Sequence, residues 1–162
     1  MCRRGKDRLY SQILCNIGKI LIPDRIILKN GPLTEKEYEV MKTHAEIGAQ
    51  TLTDIYEGLE HNDFINMAID IAHYHHENWD GTGYPKKLSG VGIPLAARIV
   101  RVIDVFDSML SERAYRKSVP LTTVLEYIEQ GAGTLFDPEI VRIFMKIYRN
   151  FKFDCECAVS NK

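Results

Sequence analysis

The chain has few of the features that mark a secreted, membrane-spanning or nucleic-acid-coating protein. No apolar run approaches the ~18 residues a spanning helix needs. The stretch from Ile13 to Ile22 is broken by Asn16, Gly18 and Lys19, and no small-residue cleavage site follows it. Formal net charge is −1, so no global field draws the chain to a nucleic-acid polymer or an anionic membrane, and any phosphate site must be local. Only four cysteines occur, at Cys2, Cys15, Cys155 and Cys157. In the cytoplasmic protein these features describe, they read as reduced thiols rather than a disulfide framework. The Cys155-Glu156-Cys157 cluster reads as a polar tail before it reads as a soft-metal site. No alternating run marks a strand, and neither an internal repeat nor a low-complexity segment is found.

What is present is ordinary globular material in a helical pattern. At 162 residues, with 45% hydrophobic and 27% charged content, the chain suits one domain that buries on the order of 70% of its unfolded surface. Leu9, Ile13 and Ile17 recur at four-residue spacing and predict a short opening helix. Thr34-Glu35-Lys36-Glu37 is a capping box that predicts a helix to about Ile55. Asn62 or Asp63 can cap the next, with Phe64, Met67, Ala68 and Ile71 as its apolar stripe. Pro94 sits near the start of a helix through Leu110, and Pro120 opens one that ends at Gly131. Asp137-Pro138 supplies the cap and first turn of the last helix. The expectation is an all-α bundle of about six or seven helices over residues 1–153, with residues 154–162 as a disordered tail.

The chemistry concentrates in His75-His76-Glu77-Asn78-Trp79-Asp80-Gly81-Thr82-Gly83-Tyr84-Pro85, where an apolar-periodic helix runs into a glycine-punctuated loop. Imidazole with carboxylate suits divalent zinc, iron or manganese. Gly81 and Gly83 let the loop fold back tightly, and Pro85 ends it with a fixed φ. On a continuous helix His73 and His76 would share a face, while His75 and His76 would diverge by about 100°. Asp104 stands among Ile99, Val100, Val102, Ile103, Val105 and Phe106. A carboxylate buried there needs a cation, either a metal or an arginine such as Arg98 or Arg101.

These residues resemble the signature of the HD-GYP family, bacterial metal-dependent phosphohydrolases whose usual substrate is cyclic di-GMP. The resemblance extends through NIGKILIPDRIILKNGPLT from Asn16, MKTHAEIGA from Met41, IPLAARIVRVIDVFDSMLSERAYRKSVP from Ile93 and GTLFDPEIV from Gly133. It implies that His44, His75, His76 and Asp104 are metal ligands and that Lys19 lies near the scissile phosphate. By the same resemblance Asp107, Arg113 and Arg116 contact substrate, and His73 stays outside the ligand set. Glu77, Asp80, Gly81, Gly83, Tyr84 and Pro85 belong to the family's loop, a contact surface for GGDEF (diguanylate cyclase) domains.

The pattern breaks at the His-Asp doublet for which the family is named, where this chain has Cys15 and Asn16. The family's aspartate bridges two metals, and asparagine offers one neutral carbonyl oxygen in its place. A further family ligand, on a helix before the doublet, has no counterpart ahead of Cys15. The expected centre is therefore incomplete, with iron, manganese or zinc at reduced occupancy. Three functions stay open: an impaired cyclic di-GMP phosphodiesterase, a catalytically degenerate module binding a nucleotide or protein, and a phosphohydrolase for another nucleotide. A homodimer through the face of Leu9, Ile13 and Ile17 is also expected.

Overall fold

The structure is a computed structural model that describes residues 15–56, 62–111 and 118–159, with side chains to residue 150. Seven α-helices occur among these residues: α1 (Asp24–Ile27), α2 (Glu35–Lys42), α3 (His44–Tyr56), α4 (Asp63–Tyr74), α5 (Leu95–Leu110), α6 (Leu121–Gln130) and α7 (Pro138–Val159). Tight 3₁₀ turns stand at Ile17–Leu21 and Gly90–Gly92. Among the described residues the only β pairing is an isolated bridge between Ala132 and Phe136. The all-α expectation holds. No helix found here is long and apolar enough to cross a membrane.

The predicted caps form as chemistry. Thr34 Oγ1 accepts the Glu37 N–H at 3.3 Å while Glu37 Oε2 accepts the Thr34 N–H at 2.7 Å, which satisfies two orphan donors. Asn62 Oδ1 accepts the Phe64 N–H at 2.9 Å, and Asp137 Oδ1 accepts the Glu139 N–H at 2.8 Å. One boundary differs from the sequence reading. The helix expected from the capping box to about Ile55 breaks at Thr43, giving α2 and α3. Thr43 Oγ1 donates to the Val40 carbonyl at 2.7 Å and the His44 ring donates to the Met41 carbonyl at 2.6 Å. Side chains thus compete with the backbone for the carbonyls of that turn. At the other end, α7 continues past Phe153, where the irregular tail was expected. No Gly or Pro after Pro138 stops it before Val159. The opening helix predicted around Leu9 and Ile13 lies outside the described residues.

Three apolar clusters hold the bundle among the described residues. Val102, Val124, Ile128, Phe136, Val141 and Met145 join α5, α6 and α7. Each such side chain contributes about 1.5–3 kcal/mol when fully buried. Leu52, Ala68 and Ala72 join α3 to α4, with Ile17 packed against them. Close approach is built in here: a Cβ on Gly18 would stand 2.0 Å from the His44 carbonyl oxygen and 2.6 Å from the Gly48 nitrogen. That glycine seats the Ile17–Leu21 turn directly on α3. The site lies where this turn, the start of α3, the end of α4 and one face of α5 converge.

Candidate metal centre

His44 is the first residue of α3, and His75 caps the C-terminus of α4. Both are sealed from solvent, at 2% and 1% exposure. The His44 Nδ1–H donates to the Met41 carbonyl at 2.6 Å. The His75 Nδ1–H is shared between the carbonyls of Ile71 and Ala72, at 2.9 and 3.0 Å. A carbonyl only accepts, so each ring carries its proton on Nδ1 and keeps a lone pair on Nε2. Those two Nε2 atoms face each other at 3.3 Å.

His76 completes the group. Its ring centroid lies 4.1 Å from that of His75 and 5.0 Å from that of His44, and Tyr84 stacks on it at 4.7 Å. The ligand nitrogens of the three rings all fall within 4.8 Å of one another, a grouping that can hold a metal ion. Burial, with the neighbouring rings second, pushes the His75 pKa down to about 3 and lowers that of His76 further. Burial also lowers His44. Two neutral imidazoles therefore turn their lone pairs on each other, and the third brings a ligand nitrogen into the same group. Two facing lone pairs at 3.3 Å repel unless a positive species lies between them, and burial disfavours a proton there. A cation held at ~2.0–2.1 Å from nitrogen fits this donor set.

The rings open onto a cavity of about 680 Å³. Of the residues singled out from the sequence, Asn16, Lys19, His44, His75, His76, Gly83, Tyr84, Asp104 and Asp107 line it. Asp104 is not enclosed in apolar packing as its neighbours in sequence suggest. With Arg101, Val105 and Ser108 it forms the i, i+3, i+4, i+7 stripe of α5 that faces the cavity. Nor does Arg98 serve it, because Arg98 pairs with the buried carboxylate of Asp137 at 2.7 Å. His73 stays out of the group, stacking on Tyr74 at 4.4 Å. The helical-wheel pairing of His73 with His76 fails because α4 ends at Tyr74, so the wheel does not extend to His76. Arg113 and Arg116 lie outside the described residues.

Cys15 is off the cavity wall. It packs at 3% exposure with Ile71, Val100 and Ala96, and burial, with the Asp104 charge second, pushes its thiol up to about 12. A thiol so buried is a small apolar core group rather than a soft ligand.

The loop after His76 is fixed by its own backbone and by the far core. A Cβ on Gly83 would meet Asn78 N at 2.3 Å, Glu77 Cα at 2.5 Å and the His76 oxygen at 2.6 Å. Gly81 adopts φ +83°, and the Tyr84–Pro85 bond is cis. Glu77, 2% exposed, accepts the Lys86 N–H on Oε1 at 2.6 Å. Asp80 Oδ1 accepts the Thr82 N–H at 2.9 Å, closing a local turn. The Asp80 N–H donates to the Thr134 carbonyl at 2.9 Å and ties the loop to the α6–α7 connection. Trp79 lies behind the loop, 5.9 Å from the Arg98 guanidinium, away from the cavity. Tyr38, Asn78, Thr82, Arg101, Ser108 and Ser111 also line the cavity and were not picked out from the sequence as site residues. For Arg101 the signal was available, since it stands one turn before Asp104.

A histidine cluster at the mouth of a polar cavity in a helical bundle defines the class as an all-α protein with a candidate metal site. The family model for the HD domain matches residues 3–140. The chain belongs to the HD-domain family, within its HD-GYP type, and that family is metal-dependent. It is 41% identical over 146 residues to a cyclic di-GMP phosphodiesterase of Vibrio cholerae serotype O1, covering 90% of this chain and 30% of that protein. It is 43% identical over 138 residues to a cyclic di-GMP phosphodiesterase of Thermotoga maritima, covering 85% and 36%. The chain thus spans about a third of the length of these relatives. A crystal structure of a cyclic GMP-AMP-specific phosphodiesterase of Vibrio cholerae shares the fold, with a TM-score of 0.58 at 21% identity over 96% of this chain and 42% of that one.

Proposed function

We propose that this domain holds a divalent transition metal on His44, His75 and His76 with Asp104, and hydrolyses a phosphodiester bond of a cyclic dinucleotide, cyclic di-GMP first among them. The observation that carries this is the facing pair of Nε2 lone pairs at 3.3 Å, fixed by Nδ1–carbonyl bonds, at the mouth of a 680 Å³ cavity. The names of the Vibrio and Thermotoga relatives supply the substrate. Iron, manganese and zinc all suit imidazole with carboxylate. A bound cation supplies Lewis acidity toward a phosphoryl oxygen and lowers the pKa of water toward neutrality.

The residues around it divide the remaining work. Lys19 offsets phosphate charge from the Ile17–Leu21 turn and Asp107 orients substrate from α5, and Arg113 and Arg116, which follow in sequence, contact substrate. A fork of guanidinium donors suits phosphate oxygens. Asn16 on the cavity wall and Cys15 in the core leave the doublet without its bridging carboxylate, so turnover is slow and at most one metal is held tightly. This same observation favours a second reading, a module that binds cyclic dinucleotide without cleaving it. The exposed part of the loop around Asp80 is the surface offered to a GGDEF domain. Self-association through the N-terminal apolar face is tested by light scattering at micromolar concentration.

Elemental analysis paired with a cyclic di-GMP hydrolysis assay decides between the readings. The expected result is up to one metal per chain and turnover well below ~1 per second. Turnover at or above that rate would remove the impaired reading, and binding without any turnover would select the module. Absence of both binding and turnover, with manganese or iron supplied, would overturn the cyclic-dinucleotide assignment.

A further inference from the structure

Two arginines stand one turn apart on α5 and are treated differently by the fold. Arg98 finds the buried carboxylate of Asp137 at 2.7 Å. Arg101 turns to the cavity and donates from Nη2 to Asn78 Oδ1 at 2.8 Å, a neutral amide oxygen. Its Nε, like that of Arg98, is buried without a hydrogen-bond partner beside a void of about 10 Å³, so the donors it has for the cavity are on its Nη groups. Asp104 acts on it through charge. A guanidinium most of whose surface is taken from water is costly unless its donors meet an acceptor.

The charges on the cavity wall sharpen the point. Lys19 and Arg101 stand against Asp104 and Asp107, so the wall by itself is balanced. A divalent cation on the three histidines tips it positive. Arg101 also adds its charge to the side of His76. Two cationic groups sharing one cavity repel each other, and an anion between them turns that repulsion into attraction for the ligand.

We propose that Arg101 is a phosphate-binding residue of this site, supplying from α5 part of the positive charge that Asn16, in place of a bridging carboxylate, no longer helps a second cation to provide. The inference rests on the metal-site reading above and deepens it by naming a side chain for the phosphate. Planar, permanently charged and on the same cavity wall as the imidazoles, the guanidinium offers phosphoryl oxygens the Nη donors that Asn78 does not take. Its bond to Asn78 sets its direction, and the Asn78 amide donates to Thr82 Oγ1 at 3.0 Å, so the loop holds the donor in place.

A purely structural strut is the competing account, since the same bond ties α5 to the loop. Calorimetry with the manganese-loaded protein separates them, using cyclic di-GMP and inorganic phosphate as probes. Arg101→Met is expected to weaken both ligands by roughly 10-fold or more, because hydrogen bonds to charged groups are the strong ones. Arg101→Lys should recover part of the loss. Manganese affinity, titrated without anion, should stay within about 3-fold, since the nitrogen donors are untouched. Asn78→Ala cuts the tether but leaves the guanidinium, and is expected to cost far less. If Asn78→Ala weakens phosphate as much as Arg101→Met, or if Arg101→Met binds like the unsubstituted protein, Arg101 is not the phosphate residue. Binding of phosphate without cyclic di-GMP by the unsubstituted protein would keep Arg101 and remove the dinucleotide reading. Binding of neither would overturn both.

Discussion

The two walls of the cavity have the same backbone precision and different side-chain chemistry. On the loop wall, His44 and His75 are buried and held in one tautomer by nearby carbonyls, with His76 half-buried beside them. On the doublet wall, Gly18 seats its turn against the His44 carbonyl as closely as Gly83 seats the loop against His76 and Asn78. Yet the adjoining residues are a core thiol, Cys15, and an amide, Asn16. The Ile17–Leu21 turn is thus seated as firmly as the loop, and the side chains next to it bring no carboxylate or imidazole. Hydrophobic packing suffices to keep Cys15 in place, whereas nothing but ligation or an equivalent demand rewards two facing buried lone pairs.

The largest effects should come from the two glycines. Gly18→Ala and Gly83→Ala each drive a Cβ into backbone atoms that cannot rotate away, and each is expected to cost about 3 kcal/mol or more, the upper end of overpacking. Chemical denaturation measures this. A small loss at Gly18 with a large one at Gly83 would show that the walls are not equivalent scaffolds.

His75→Ala comes next and tests the loop wall's chemistry. Removing one of the three nitrogens is expected to lower transition-metal affinity at least ~100-fold, beyond the 10–100-fold of an outer-sphere change. Metal content after dialysis reads it out. Retained metal in His75→Ala would move the centre elsewhere.

On the doublet wall the two substitutions should pull apart. Asn16→Asp adds a carboxylate to the cavity wall and is expected to raise divalent-metal affinity about tenfold, in line with a charge-assisted ligand. Cys15→His forces a larger ring among Ile71, Val100 and Ala96, and should cost ~1–3 kcal/mol of stability. If Cys15→His instead gained metal without losing stability, the core reading of Cys15 would be wrong.

The last effect is in pH, measured on metal-free protein. An unfolded histidine titrates near 6.5, whereas His75 is pushed down to about 3. Between those values only the unfolded chain takes the proton, so stability is full above about 6.5 and declines as pH falls. The slope is up to ~1.4 kcal/mol per pH unit for each such histidine. Cys15 has the opposite sign. Its thiol is raised from 9.0 to about 12, so its contribution is complete below about 9 and is lost as pH climbs. Urea midpoints at pH 5, 7 and 10 would show acid loss from one wall and alkaline loss from the other.

Much of this was legible in the residues themselves. Helix starts at Thr34, Asn62, Pro94, Pro120 and Asp137 follow from capping oxygens and proline's fixed φ, which act within a few residues. The histidine–glycine loop announced itself because its ligands and its turn are contiguous. The break at Thr43 was not visible, since it depends on side chains competing for carbonyls inside a good helical pattern. Arg101 was passed over because its role rests on which carboxylate Arg98 had already taken, 39 residues away.

The sequence by itself determined the helical bundle, because periodicity and caps are local properties, and its motifs carried the HD-GYP resemblance that pointed to the three histidines the structure groups. Only the tertiary structure decided that His44 and His75 share one tautomer and meet at 3.3 Å, that Cys15 enters the core, and that Arg101 faces the cavity. Those outcomes depend on contacts between elements distant in the chain. Burial and partner competition settle them, and neither can be read from a residue's neighbours in sequence.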